Sequence, residues 1–283
     1  TQGLYGSFTL QANGTYTYTL NNALPIVQQL GVGAHLTETF TYTVKDQHGA
    51  AASSTMTITI NGTNDNPVIA PIVTAPLKED SVFTSAGTLT VADADLGDTA
   101  VFQAQNMAGL YGSFVLNSNG AYVYTLNNSL PAVQGLGHGE QLVETFTVAA
   151  NDGHGGITAR TISFTINGTN DVPELTNDAQ SVTEDAGVSG GKLSVDGAVT
   201  ITDTDDGESS FDTASLKFTG STHGGGQLGA IDIKADGSYT YTVDNAAVQF
   251  LKAGQTIVET YTVESADGSG TSTITITING TND

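Results

Sequence analysis

YGSFVLNSNGAYVYTLNN, residues 111–128, rewrites a pattern already present as YGSFTLQANGTYTYTLNN at residues 5–22. A looser copy, LGAIDIKADGSYTYTVDN, occupies residues 228–245. In each, apolar and polar residues alternate on both sides of Asn-Gly or Asp-Gly. That dipeptide is a strong hairpin signal, because a tight turn needs the positive φ that Gly and Asn adopt at little cost. A period of two places Phe114 and Leu116 on one face of the first hairpin strand, and Tyr122, Tyr124 and Leu126 on one face of the second.

The alternation continues outward from the hairpin. It marks ETFTYTV at 38–44, ETFTVAA at 144–150 and ETYTVES at 259–265, and a further alternating run leads into NGTND at 61–65, 167–171 and 279–283. Successive copies of NGTND lie 106 residues apart (167 − 61) and 112 apart (279 − 167). That is the length of one small β-sandwich. Between the first two copies seven strands are predicted, near 68–77, 88–92, 100–105, 113–116, 121–126, 141–149 and 157–166. Leu130-Pro131-Ala132-Val133-Gln134 reads as a single helical turn. The expected class is all-β, with tandem immunoglobulin-like antiparallel β-sandwich repeats. The expected domains are a partial repeat at 1–65 holding the last four strands, and complete repeats at 66–171 and 172–283. Since residue 1 falls inside a repeat, the chain reads as an excised segment. The apolar faces of residues 1–65 would stand half open unless a neighbouring chain supplied a strand-completing contact.

Seven Lys and Arg against 29 Asp and Glu give a net charge of −22, which excludes nucleic acid and anionic membrane as partners and makes cations the natural counterpart. There is no Cys, hence no disulfide or thiolate metal site, and no 18-residue apolar run suited to membrane insertion. His35, His48, His138, His154 and His223 are scattered. His48 and His154 align in the turn after the sixth strand, where the third copy has Ser269. With no GxSxG, HExxH or phosphate-binding Gly loop either, the reading is non-enzymatic. Asn13, Asn61, Asn167 and Asn279 begin Asn-Gly-Thr and are read as turn sequences.

The acids fall at particular places. If strands alternate in direction, the loops after the second and sixth strands return to the end where the linker enters, and the loop after the first strand lies at the opposite end. VADADLGD then puts Asp93, Asp95 and Asp98 beside Asp152 of ANDGHGG and beside the linker residues Asn64, Asp65 and Asn66. The next junction repeats this with Asn170, Asp171, Asp203, Asp205, Asp206 and Asp267, and LKED brings Glu79 and Asp80 to the same place. A lone Asp in such a loop is best read as a turn former. Acids recurring at aligned places in several converging loops point instead to a hard divalent ion, and the mixture of carboxylate, amide and carbonyl oxygen suits Ca2+ better than magnesium or zinc.

At these residues the chain resembles cadherin-like calcium-dependent repeats and, in bacterial form, the VCBS repeats of large secreted RTX-type surface adhesins. ETFTVAANDGHGGITARTISFTINGTNDVP, VADADLGD and LKED carry the resemblance in order. It implies calcium ligation by Glu79 with Asp80 beside it, by the linker residues Asn64, Asp65, Asn170 and Asp171, by Asp93, Asp95, Asp203 and Asp205, and by Asp152 and Asp267. Glu184 with Asn282 and Asp283 would form half of a further junction. The family linker has an Asp where Gly62 and Gly168 stand, and the acidic motif before the sixth strand has no clear counterpart, although Glu140 and Glu144 lie nearby. One or two ions per junction are therefore expected rather than three. The function implied is a calcium-rigidified extender of a bacterial cell-surface adhesin serving adhesion or biofilm, exported by a type I system. Its partners would be adjacent repeats of the chain, with a host or biofilm surface ligand as an external candidate. The alternative is a module that recognises carbohydrate or a partner protein, with Tyr5 and Tyr111 as its platform.

Overall fold

The computed structural model describes residues 1–224 and 226–282. The chain divides into two compact units. The first comprises Thr1–Leu77, Ser81–Asn127 and Val143–Ile166; the second comprises Lys78–Asp80, Asn128–Leu142 and the chain from Asn167 onward.

In the first unit the hairpins form as the Asn-Gly signals require: Gly6–Leu10 pairs antiparallel with Tyr16–Leu20, and Gly112–Leu116 with Ala121–Leu126. Gly14 and Gly120 take the positive φ of those turns, 85° and 87°. The second hairpin extends to a four-stranded sheet ordered Gln105–Ala108, Gly112–Leu116, Ala121–Leu126, Thr84–Thr88. A second four-stranded sheet runs Leu77–Lys78, Ile157–Asn167, Gln141–Asn151, Val101–Phe102. The residues that alternation aims inward make the core. Phe114, Tyr124 and Phe164 are fully buried, and the Tyr124 and Phe164 rings stack with centroids 4.4 Å apart. Burying each aromatic contributes on the order of 2–3 kcal/mol. Pro131 opens the helical turn Pro131–Gln134, where its fixed φ suits the first helical position and its missing N–H costs nothing.

Residues 1–65 supply two hairpins, and Phe8 and Phe40 stack at 4.7 Å as Phe114 and Phe146 do at 5.0 Å. Their faces are less covered: Tyr16 is 53% exposed and its counterpart Tyr122 5%.

Three of the seven strands predicted in the second repeat are interrupted. The expected 68–77 splits into Val68–Ile69, antiparallel to Val91–Ala92, and Leu77–Lys78 in the other sheet. Pro71 and Pro76 lie between the halves and can donate no ladder hydrogen bond, so the chain changes sheets there. The expected 88–92 and 100–105 resolve likewise into Thr84–Thr88 with Val91–Ala92, and Val101–Phe102 with Gln105–Ala108.

The second unit contains a sandwich of the same kind around Leu193, Val199, Tyr241, Val263, Ile274 and Ile276. One sheet runs Asp178–Thr183, Thr271–Asn279, Thr256–Ser265, Phe211–Ser221; the other runs Lys192–Ala198, Ser238–Asp244, Gly229–Ile233. Asp178–Thr183 pairs parallel to Thr271–Asn279, a departure from the all-antiparallel expectation. The entering segment pairs first at Glu174–Leu175 with Ile201–Thr202, then crosses to lie beside the last strand in the same direction.

Candidate metal centres

The first centre lies within the first unit. After Val91–Ala92 the chain turns tightly, with Gly97 at φ 99°, and the turn gathers Asp93, Asp95 and Asp98. Asp93 Oδ1 accepts from Asp95 N at 3.0 Å, and one carboxylate oxygen from each of the three acids lies within 4.8 Å of the others. The linker closes on this loop. Asp65 N donates to Asp95 Oδ2 at 2.8 Å, and Asn64 Nδ2 donates to Asp152 Oδ2 at 2.8 Å. The Asn64 amide holds the Asp152 carboxyl below the usual carboxylate range, assisted by the backbone N–H groups of His154 and Gly156 and opposed by burial. His154 Nδ1 stands 2.9 Å from Asp98 Oδ2.

The second centre lies within the second unit and repeats this geometry. Asp171 N donates to Asp205 Oδ2 at 2.8 Å, Asn170 Nδ2 to Asp267 Oδ2 at 2.9 Å, and Asp205 N to Asp203 Oδ1 at 3.0 Å. Glu79, 1% exposed, accepts from Thr169 N at 2.6 Å. Asp80 takes a left-handed backbone, φ 58°, and accepts from Asn128 at 2.7 Å and Gln134 at 3.0 Å. Those two amides hold its carboxyl low. Burial pushes Asp171 up, reinforced by Asp205, Asp80 and Asp203; it also pushes up Asp205, reinforced by Asp203, Asp267 and Glu140. Burial opposes ionisation of Asp267 too, yet hydrogen bonds from Ser265, Ser269 and Asn170 prevail and bring it to about 2.

Each linker glycine has a steric reason. A Cβ on Gly62 would run into the carbonyl oxygens of Leu30 and Gly31, and one on Gly168 into those of Leu136 and Gly137. Backbone amides complete the seams: Leu96 N donates to Gln29 O at 3.0 Å and Asp206 N to Gly135 O at 3.1 Å. NGTND is thus a strand end, a side-chain-free contact point, and an Asn and Asp that fasten onto the two acidic loops.

All twelve residues singled out in the sequence stand in these two groups: Asn64, Asp65, Asp93, Asp95 and Asp152 in the first, and Glu79, Asp80, Asn170, Asp171, Asp203, Asp205 and Asp267 in the second. Asp206 uses its backbone amide in the seam. Glu208 belongs with the second group and is not among the residues that the sequence singles out. Its oxygen lies with those of Asp203 and Asp267 inside 4.8 Å, and burial raises its carboxyl with help from Asp205, Asp267, Asp203 and Glu140. The readable signal is the shared spacing Asp-x-Asp-x-Gly-acid at 93–98 and 203–208.

Of the two acids considered before the sixth strand, Glu140 feels this cluster, whereas Glu144 lies in the core. Glu144 Oε2 accepts from Tyr124 Oη at 2.6 Å and Oε1 from the backbone of Leu110 and Tyr111. Glu38 with Tyr18, and Glu259 with Tyr241 and Tyr261, repeat the arrangement. This explains the recurring Gly-Leu-Tyr-Gly, since a Cβ on Gly109 would overlap the Glu144 carboxylate and one on Gly112 would meet Tyr124.

The far end of the third repeat mirrors Glu79 and Asp80. Glu184, 0% exposed, accepts from Thr281, and Asp185, φ 60°, accepts from Asn245 and Gln249. Asp283 lies outside the described residues.

The residues fit a hard cation. Among the described residues, Asn64 Oδ1, Asp93 Oδ2, Asp95 Oδ1, Asp203 Oδ2, Asp205 Oδ1 and Glu208 Oε2 are buried oxygens with no hydrogen-bond partner. Such oxygens are costly in a protein interior. Among the described residues, Asp93, Asp95, Asp152, Asp203, Asp205, Glu208 and Asp267 form no ion pair with a Lys or Arg; Asp98 pairs with His154, and Lys192 and Lys217 pair with Asp244 and Glu264 instead.

Among solved structures, the protocadherin gammaB7 EC3-6 cis-dimer superposes with a TM-score of 0.52 at 15% identity, covering 97% of this chain and 66% of that one. Protocadherin Gamma B7 extracellular cadherin domains 1-4 give 0.51 at 18% identity, covering 99% and 65%. This chain therefore spans about two-thirds of the length of those chains, and the likeness establishes the fold. No curated protein matches the sequence. The model of the bacterial cadherin-like domain matches three times in succession, over residues 1–62, 64–168 and 170–280. The chain belongs to the bacterial cadherin-like domain family.

Proposed function

We propose that the chain is a non-enzymatic extender segment of a bacterial cell-surface adhesin, in which calcium fixes the geometry of the junctions between repeats at 1–65, 66–171 and 172–283. The observation that carries this reading is the group of buried oxygens without partners, above all Asp95 Oδ1 and Asp205 Oδ1, on side chains 3% and 2% exposed. A calcium ion takes six to eight oxygens at about 2.3–2.6 Å and supplies the charge these carboxylates otherwise lack. In the first junction Asp93, Asp95, Asp152, Asn64 and Asp65 would hold it. In the second, Asp203, Asp205, Asp267, Asn170 and Asp171 would do so, with Glu79 and Asp80 from the preceding repeat. The Asn side chains orient the acids, since Asn64 already fixes Asp152 and Asn170 fixes Asp267.

An ion that binds only the ordered junction stabilises it by RT ln(1 + [L]/Kd). With dissociation constants on the order of 10⁻⁴ to 10⁻³ M, typical of extracellular modules, millimolar calcium contributes about 0.4 to 1.4 kcal/mol per ion. That suffices to shift a marginal junction outside the cell and leaves it loose where calcium is scarce, which suits export of an extended chain by a type I system. Small-angle scattering of the full chain, first in millimolar calcium and then in chelator, tests this. The expected result is a larger maximum dimension in calcium, with the interatomic distance distribution drawn out into the long tail of a rod. Identical curves in both buffers would remove calcium as the brace.

A further inference from the structure

We propose that the third repeat owns a hard-cation pocket of its own, in which Glu208 joins Asp203, Asp205 and Asp267 as a calcium ligand, distinct from the position served by Glu79, Asp80 and Asp171. Asp98 takes the corresponding role with Asp93 and Asp95 in the second repeat. The inference rests on the calcium reading above and extends it to residues which that reading does not use.

Three observations carry it. The carboxylate oxygens of Asp203, Glu208 and Asp267 lie within 4.8 Å of one another, and all three side chains come from one repeat. Oxygens of three acids in this loop are buried without hydrogen-bond partners among the described residues: Asp203 Oδ2, Asp205 Oδ1 and Glu208 Oε2. Asp205 is 2% exposed, and its other oxygen is already taken by Asp171 N. Its remaining oxygen, Oδ1, is buried with no hydrogen-bond partner among the described residues.

The chain is also shaped to admit Glu208. A Cβ on Gly137 would lie 2.8 Å from Glu208 Oε1, so the glycine there leaves room for the carboxylate. Gly207, at φ 84°, turns the backbone so that Glu208 N donates to Asp205 O at 3.3 Å, which folds the acid back over the Asp203–Asp205 pair. At the equivalent place in the second repeat, Asp98 N donates to Asp95 O at 3.2 Å after Gly97. There the shorter side chain meets His154, whereas Ser269 occupies the equivalent of that position in the third repeat. Glu208 is accordingly the cleaner residue to test.

The experiment is calorimetric titration of the chelator-treated full chain with calcium alone, comparing the parent with Glu208→Gln and Glu79→Gln. Glu208→Gln should weaken one class of sites on the order of tenfold or abolish it, since calcium affinity follows ligand charge, while the remaining sites keep their affinity. Glu79→Gln should spare the class that Glu208→Gln removes. Glu208→Gln should melt in chelator no lower than the parent, because it removes one of several clustered like charges, and this separates lost ligation from misfolding. A parent that takes up no calcium overturns the calcium reading itself. A parent that binds, with an unchanged isotherm for Glu208→Gln, overturns only this inference. Loss of every site in Glu208→Gln overturns the claim that the pocket is separate.

Discussion

Asn170 donates its side-chain amide to Asp267 Oδ2 at 2.9 Å, fastening the linker to a loop 97 positions further along the chain. Asn64 does the same to Asp152 at 2.8 Å across 88 positions. Two different loops are thus tied by one residue type at one place in NGTND. Asn170→Ala removes a charge-assisted bond that is partly exposed, so a loss of about 1 kcal/mol is expected in chelator, measured by urea unfolding. Asn170→Asp replaces a donor with a like charge, and should be worse than Ala in chelator but recover in calcium. Equal stability of parent and Asn170→Ala would show that the contact contributes nothing.

Gly168 sits where any Cβ would press into the carbonyl oxygens of Leu136 and Gly137. Backbone cannot yield as a side-chain tip can, so Gly168→Ala should cost about 1–3 kcal/mol. Gly220→Ala is the control: a Cβ there would meet nothing within 4 Å, and the variant should stay within about 0.5 kcal/mol of the parent. Urea midpoints of the two variants, at equal m-values, decide the matter.

How far the sequence alone reaches depends on what is local. The hairpins around Asn13-Gly14, Asn119-Gly120 and Asp236-Gly237 are legible because turn chemistry and alternation are short-range and agree with each other. The convergence of Asp93 with Asp152, and of Asp203 with Asp267, is legible from strand parity alone. The breaks near Pro71 and Pro76 are readable as chemistry, but where each half pairs depends on which sheet edge lies open. Gly62 and Gly168 read as missing carboxylates; the close carbonyls that forbid a side chain come from residues about 30 positions earlier and carry no pattern of their own. Glu208 is missed by a reading that stops at Asp-x-Asp, although the acid after Gly recurs in both repeats. Glu144 stands near the junction by its position in sequence, whereas strand alternation points it inward.

That inward glutamate carries its own prediction. Glu144 is 6% exposed and joins Tyr124 Oη to the backbone of Leu110 and Tyr111. Glu144→Ala strands a buried hydroxyl and two amides, so a loss of about 3 kcal/mol is expected, with Glu144→Gln intermediate. Because its hydrogen-bond partners are Leu110, Tyr111 and Tyr124 and none of the acidic-loop residues, the loss should be the same in calcium and in chelator. A calcium-dependent difference would mean that the core carboxylate and the junctions communicate.

Alkaline pH should unfold the sandwiches through the same clusters. Burial pushes Tyr18 up to about 12 from 10.0, helped by its hydrogen bond to Glu38 and by the charge of that carboxylate. Burial and neighbouring carboxylates drive Tyr124, Tyr241 and Tyr261 higher still, and do the same to Tyr239, which stands outside those clusters and donates to Asp178 Oδ2 at 2.7 Å. For a phenol the neutral form is the protonated one, so a folded value above the unfolded value means that the fold holds the proton more tightly. The stability these tyrosines contribute is therefore whole below pH 10, and it is lost as pH rises through about 12 for Tyr18 and further for the others. Phenolate absorbance followed together with circular dichroism should show these five groups ionising only as the β signal disappears. Ionisation of Tyr124 and Tyr241 near pH 10 with the sheets intact would mean that their hydroxyls reach water and that the buried Glu–Tyr clusters are open.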